Sequence, residues 1–244
     1  MSRPVTIVTG GGRGIGAAIC RRLAAEGHDL AVGYRHDEAA AEEVAADVRA
    51  AGGRVVTVRM DTTVEADVDR LFDTAAGELG PVTGLVNNAG VTSPLGPLAE
   101  ARAEDLRRVV DVNLVGYLLC ARRAARDLGP GGAIVNISSA AATLGSPGDY
   151  VHYAATKAAT DALTVGLAKE LGPAGIRVNT VSPGIVHTSL HTDSGEPGRP
   201  DRLAPGIPLR RAGEPDEIAG AVAWLLSPDA SYATGANLRV AGGI

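Results

Sequence analysis

Short, nearly continuous apolar runs alternate with amphipathic stretches along the whole chain. The runs at 5–9, 30–34, 54–59, 84–87, 133–138, 177–182 and 237–240 read as strands. Several, such as Val5-Thr6-Ile7-Val8 and Ala133-Ile134-Val135, lack polar alternation, which is expected of strands covered on both faces. Between them, 3.6-residue patterns predict helices at 14–26, 38–51, 65–79, 102–128 with a break near Asn113, 153–171 and 216–226. Strand and helix alternate throughout, so the expected architecture is α/β: a doubly wound, Rossmann-type parallel sheet of about seven strands with helices on both faces. No Pro/Gly/Ser linker or internal repeat divides the chain, so residues 1–244 are read as one domain. The long irregular piece at 187–208, rich in Pro and Gly, is read as a structureless lid over a site.

Composition narrows the class. The chain has 244 residues, 45% hydrophobic and 3% aromatic, with a formal net charge of −5. That charge offers no general field for nucleic acid. No apolar run is long enough for a membrane helix, and the N-terminus lacks a signal-peptide pattern. Cys20 and Cys120 are read as reduced core thiols of a cytoplasmic protein. Arginine outnumbers lysine 21 to 2, the lysines being Lys157 and Lys169.

The first strand runs into Thr9-Gly10-Gly11-Gly12-Arg13-Gly14-Ile15-Gly16, which opens the first helix. Glycines allow a sharp turn and let a pyrophosphate approach the positive helix end. A tight structural turn is the rival reading; the strand–helix context favours the phosphate. Tyr34 ends the second strand and Arg35 follows, where an acidic residue would bind the ribose of NAD. With Arg13 in the glycine turn, this favours NADP over NAD.

Tyr153 and Lys157 stand four residues apart, so their heads reach the same side of a helix. A cation beside a phenol stabilises the phenolate and fits Tyr for proton transfer. Ser139 follows the fifth strand, at the edge where ligands bind in open α/β sheets. Asn113 interrupts a helical pattern, which suggests a local break or a polar role.

Together these motifs resemble those of the short-chain dehydrogenase/reductase family, β-ketoacyl carrier-protein reductases and sugar or alcohol dehydrogenases among its members. The match runs from Thr9–Gly16 through Asp61, Asn87-Asn88-Ala89-Gly90, Asn113, Ser139, Tyr153 with Lys157, and Pro183-Gly184. The resemblance implies a catalytic tetrad of Asn113, Ser139, Tyr153 and Lys157. Tyr153 would be the acid/base and Ser139 would orient the carbonyl. Lys157 would lower the Tyr153 pKa and bind the nicotinamide ribose, and Asn113 would hold a relay water. It implies NADP(H) contacts from Gly10, Gly12, Arg13, Gly14, Ile15 and Gly16, from Tyr34 and Arg35, and from Asp61 and Thr62. Asn88, Ala89 and Gly90 would line the adenosine side; Pro183, Gly184, Val186 and Thr188 would cover the nicotinamide. It further implies a homotetramer or homodimer and a small carbonyl or alcohol substrate. A nucleotide-sensing regulator and a dehydratase or epimerase are the rival functions. No metal site is expected; His187 and His191 are read as solvent-facing. One extra residue separates Ser139 from Tyr153, assigned to 145–150, and Ala241 replaces an Asp common in relatives.

Overall fold

Seven parallel strands form the sheet of the computed structural model, which describes residues 3–244. They are β1 (Val5–Thr9), β2 (Asp29–Tyr34), β3 (Val55–Arg59), β4 (Val82–Asn87), β5 (Ala133–Ile137), β6 (Arg177–Pro183) and β7 (Asn237–Val240). Their order is β3-β2-β1-β4-β5-β6-β7. The order reverses between β1 and β4, where a doubly wound sheet opens a crevice at the strand ends.

Alternate strand residues feed two separate cores, as the two-residue period requires. Val8, Val32, Val86 and Val135 pack beneath α1 (Gly14–Ala25), α2 (Glu38–Ala50) and α10 (Pro215–Leu226). Ile7, Ala31, Leu85 and Ile134 face α3 (Glu65–Leu79), α5 (Gly116–Asp127) and α7 (Val151–Leu171). Cys20 and Cys120 belong to opposite cores, so the sheet lies between the two thiols. Burial pushes each thiol up to about 12.

The expected helical break is real. Between α4 (Ala103–Val110) and α5, residues Asp111–Val115 form one π-helical turn, with Asn113 fully buried inside it. Two expectations need correction. Residues 187–208 are not structureless: they contain α8 (Leu190–Asp193), α9 (Arg199–Leu203) and a short 3-10 turn at Ala204–Gly206. Ion pairs from Arg199 to Glu196 and Asp149 fasten this segment down, a long-range effect that local composition does not carry. His191 does not face solvent either. It is partly buried, hydrogen-bonded to the Val186 carbonyl at 3.1 Å, and burial lowers its pKa. A further short helix, α6 (Ala141–Leu144), follows β5.

Candidate active site

A cleft of about 1010 Å³ opens along the C-terminal strand ends. At one end the chain leaves β1 through Gly10 and Gly14, both at positive φ (65° and 52°). A Cβ on Gly16 would lie 2.2 Å from the Gly10 carbonyl oxygen, so no side chain fits there. Asn88 braces this turn: its Nδ2 donates to the carbonyls of Thr9 (2.9 Å) and Gly10 (3.1 Å). No side chain caps α1 and no acidic residue stands in its first turn. The helix therefore presents unpaired N–H groups and positive dipole to the cleft, as an anion site requires.

Beyond the turn, Tyr34, Arg35, Asp61 and Thr62 line the same wall. The two arginines do not converge on one point. Arg35 pairs with Asp61 at 2.8 Å, while Arg13 reaches across to Asp193 of α8 at 2.7 Å. Asp61 is further held by Thr63, whose N–H and hydroxyl both donate to Oδ1.

At the other end stand Ser139, Tyr153 and Lys157. The two serines after β5 do different work. Ser138 is buried and its hydroxyl donates to the Lys157 carbonyl at 3.0 Å. Ser139 accepts from the Ala141 N–H at 3.1 Å, and its own hydroxyl is placed to donate to the Tyr153 oxygen in the cleft. Lys157 is buried, with Nζ donating to the Ile137 carbonyl at 2.8 Å and to the Tyr117 hydroxyl at 3.3 Å. Nζ lies 5.7 Å from the Tyr153 ring centre.

The electrostatic balance differs from the sequence expectation. Burial, with Tyr150 adding to it, raises the Tyr153 phenol above its ordinary range, and only the Ser139 hydroxyl opposes this. Burial also lowers Lys157 to about 7, with Asp161 pulling weakly the other way. At this separation, loss of water outweighs the lysine's attraction for a phenolate.

Asn113 is the one tetrad position outside the cleft wall. Its side chain clamps the backbone of Val91, accepting from the N–H and donating to the carbonyl, each at 2.9 Å. Its Nδ2 also reaches Thr156 at 3.4 Å. The remaining expected positions, Gly12, Ile15, Ala89, Gly90, Pro183, Gly184, Val186 and Thr188, all line the cleft. Gly184 is pressed against Ala241: a Cβ there would meet the Ala241 Cα at 2.7 Å.

A protein-family model, Enoyl-(Acyl carrier protein) reductase, matches residues 10–244. A short-chain dehydrogenase/reductase from Serratia marcescens is 39% identical, with TM-score 0.93 over 99% of this chain and 98% of that one. The chain belongs to the short-chain dehydrogenase/reductase family. This dehydrogenase/reductase is also 45% identical to the uncharacterized oxidoreductase YgfF of Escherichia coli K12, over 98% of its own length and 99% of that protein's. A short-chain dehydrogenase from Burkholderia cenocepacia, solved in complex with NADP, is 36% identical, with TM-score 0.92 over 99% and 97% of the two chains.

The extra loop at 145–150 and the 187–208 segment do meet at the cleft, but the sequence does not single out Arg199. Tyr150 and Arg199 both line the cleft. Tyr150 meets Tyr153 edge to face, and the Arg199 guanidinium lies 5.3 Å from the Tyr150 ring centre. Arg199 is buried and pairs with Asp149 and Glu196. The extra loop at 145–150 carried the only signal for this cluster. Gly145, Ser146 and Gly148 adopt positive φ there, and the turn delivers Asp149 and Tyr150 to the lid.

Proposed function

We propose that this enzyme is an NADP(H)-dependent reductase of small ketones, or dehydrogenase of the matching secondary alcohols, with Tyr153 as the acid/base. The observation that carries this reading is the joining of two features in one cleft. A glycine turn with an uncapped helix end leads directly to a serine hydroxyl, a phenol and a buried ammonium.

The residues fit a dinucleotide. The α1 N–H groups and the cradle at Gly10 and Gly16 suit a pyrophosphate, and Asp61 with Thr62 suits the adenine side. Arg35, after a strand that ends in Tyr34, suits a 2′-phosphate, which would compete with Asp61 for the guanidinium. A bound nicotinamide supplies or accepts the hydride. The chain's own residues manage the proton and the geometry. Ser139 donates to the substrate oxygen and orients it. Tyr153, held protonated by burial, gives its proton to that oxygen in reduction and takes one from the alcohol in oxidation. Lys157, anchored on Ile137 and lining the cleft, has a remaining N–H for ribose hydroxyls and for the phenolate formed during transfer. Residues 187–208 close over the substrate, with Arg199 as their anchor.

Exposed Val110, Val115, Leu118 and Val165 on and between α4, α5 and α7 support assembly into a dimer or tetramer through these helices. Two buried thiols separated by the sheet fit a cytoplasmic setting. The test is incubation with a panel of ketones and alcohols and either NADP(H) or NAD(H), with product analysis. The reading requires stoichiometric cofactor consumption, faster with NADP(H). Product formation without net consumption points instead to a dehydratase or epimerase. Cofactor binding with no turnover on any panel member contradicts the reading.

A further inference from the structure

Tyr117 is among the largest fully buried side chains and has no part in the reaction proposed above. It belongs to α5, two residues beyond the π turn, and its hydroxyl donates to the Ile137 carbonyl at 3.0 Å. Lys157 Nζ donates to the same carbonyl at 2.8 Å and to the Tyr117 oxygen at 3.3 Å, closing a three-membered polar ring inside the protein. The ammonium also lies 4.9 Å from the centre of the Tyr117 ring, nearer than to the Tyr153 ring at 5.7 Å.

We infer that Tyr117 is a positioning residue for Lys157, its oxygen and ring face holding the buried ammonium in place beside Tyr153. This rests on reading Lys157 as the working cation of the site. A buried ammonium without acceptors is expensive, and Lys157 has two fixed ones. The Ile137 carbonyl has two lone pairs and receives both donors. The Tyr117 phenol has spent its proton on that carbonyl, so it can only accept from Lys157. Burial holds the phenol protonated far above its ordinary range, so it stays a neutral acceptor at every working pH. The ring adds a cation–π attraction of the kind that strengthens away from water. The titratable groups around Lys157 are Tyr153 and Asp161 on its own helix and Tyr117 from α5. Tyr117 thus contributes without adding charge that would compete at the cleft.

The two-lysine composition makes the test direct. Lysine labelled with ¹³C at Cε gives two signals, from buried Lys157 and exposed Lys169. Tyr117→Phe keeps the ring and removes the oxygen. Losing an acceptor disfavours the charged form, so the Lys157 titration moves down by about one unit or more, a tenfold change in acidity, while Lys169 does not move. The alkaline limb of kcat/KM moves down with it. Phe72→Leu, in the core away from the cleft, is the control for packing loss; it lowers Tm and leaves the titration in place. An unmoved Lys157 titration in Tyr117→Phe overturns the inference. Should that variant not fold, the wild type decides: the Lys157 Cε protons must show ring-current shifts and cross-peaks to the Tyr117 ring, and their absence overturns it. Because the titration is read without turnover, it stands or falls separately from the reductase reading.

Discussion

Tyr150 meets Tyr153 edge to face, with 5.1 Å between ring centres and 77° between planes. The Arg199 guanidinium also lies 5.3 Å from the Tyr150 ring centre, so the 187–208 segment is tied to Tyr153 through one intervening ring. Arg199→Ala removes the tie and both ion pairs. Its partners Asp149 and Glu196 are partly exposed and rehydrate, so the fold survives. Opening the 187–208 segment should raise KM several-fold more than it lowers kcat, and limited proteolysis within that segment should accelerate. Unchanged KM and unchanged cleavage would refute the tie.

Ser138 and Ser139 are separable. Ser139→Ala removes the hydroxyl proposed to donate to the substrate oxygen and should lower kcat by roughly 10²–10³-fold, as loss of a single oxyanion donor does, with Tm nearly unchanged. Ser138→Ala deletes the donor to the Lys157 carbonyl and should instead cost about 1 kcal/mol of stability with a smaller effect on rate. Kinetics and thermal melts on the pair check this; the reverse pattern would assign the wrong serine.

Asn113→Leu leaves both the N–H and the carbonyl of Val91 without their side-chain partner. Each such loss costs about 1–3 kcal/mol, so chemical denaturation should show a clear fall in stability before any catalytic defect is interpreted. Asn113→Asp keeps the acceptor and loses the donor, and should fall between wild type and Asn113→Leu.

Arg35→Ala tests cofactor choice. Loss of a charged hydrogen bond of about 1.5–3 kcal/mol corresponds to a roughly 10–100-fold weaker NADP(H) interaction. NAD(H) parameters should change little, apart from the effect of freeing Asp61. Equal losses for both cofactors would mean that Arg35 supports the fold around Asp61 and does not read the phosphate.

Lys157 makes one contribution to the pH dependence of stability, opposed from about pH 9 by the two thiols that burial raises to about 12. In the unfolded chain its ammonium keeps the proton to about pH 10.4. In the folded protein burial releases the proton near 7. Between these values the unfolded state binds more protons, so this group's contribution to stability rises with pH across that window. Above about pH 10, Tyr153 acts oppositely, since the folded state retains a proton that the unfolded one loses. Urea melts of Lys157→Met should therefore show a flatter rise between pH 7 and 10 than the wild type.

Much of this architecture is legible in residue patterns. Strands such as Val5–Thr9 are marked by continuous apolar runs because both faces are covered, and β7 and α3 fall at their expected bounds. The turn at Gly10–Gly16 and the Tyr153/Lys157 pair depend on neighbours within one turn, which a sequence displays. The lid does not. Its order comes from Arg199 meeting Asp149 fifty residues away, and nothing local records that. Tyr117 escaped for the same reason: it meets Lys157 only once α5 and α7 pack against the end of β5. The direction of the Tyr153 shift was likewise hidden, since burial, not sequence proximity to a lysine, governs it.

In the proposed reaction Tyr153 moves the proton of a cofactor-dependent carbonyl reduction. The most direct measurement follows NADPH absorbance with a turned-over ketone for wild type and Tyr153→Phe, alongside NADPH binding by fluorescence. Binding should be unchanged and kcat reduced by roughly 10²–10⁴-fold in the variant. Full turnover by Tyr153→Phe would contradict this role.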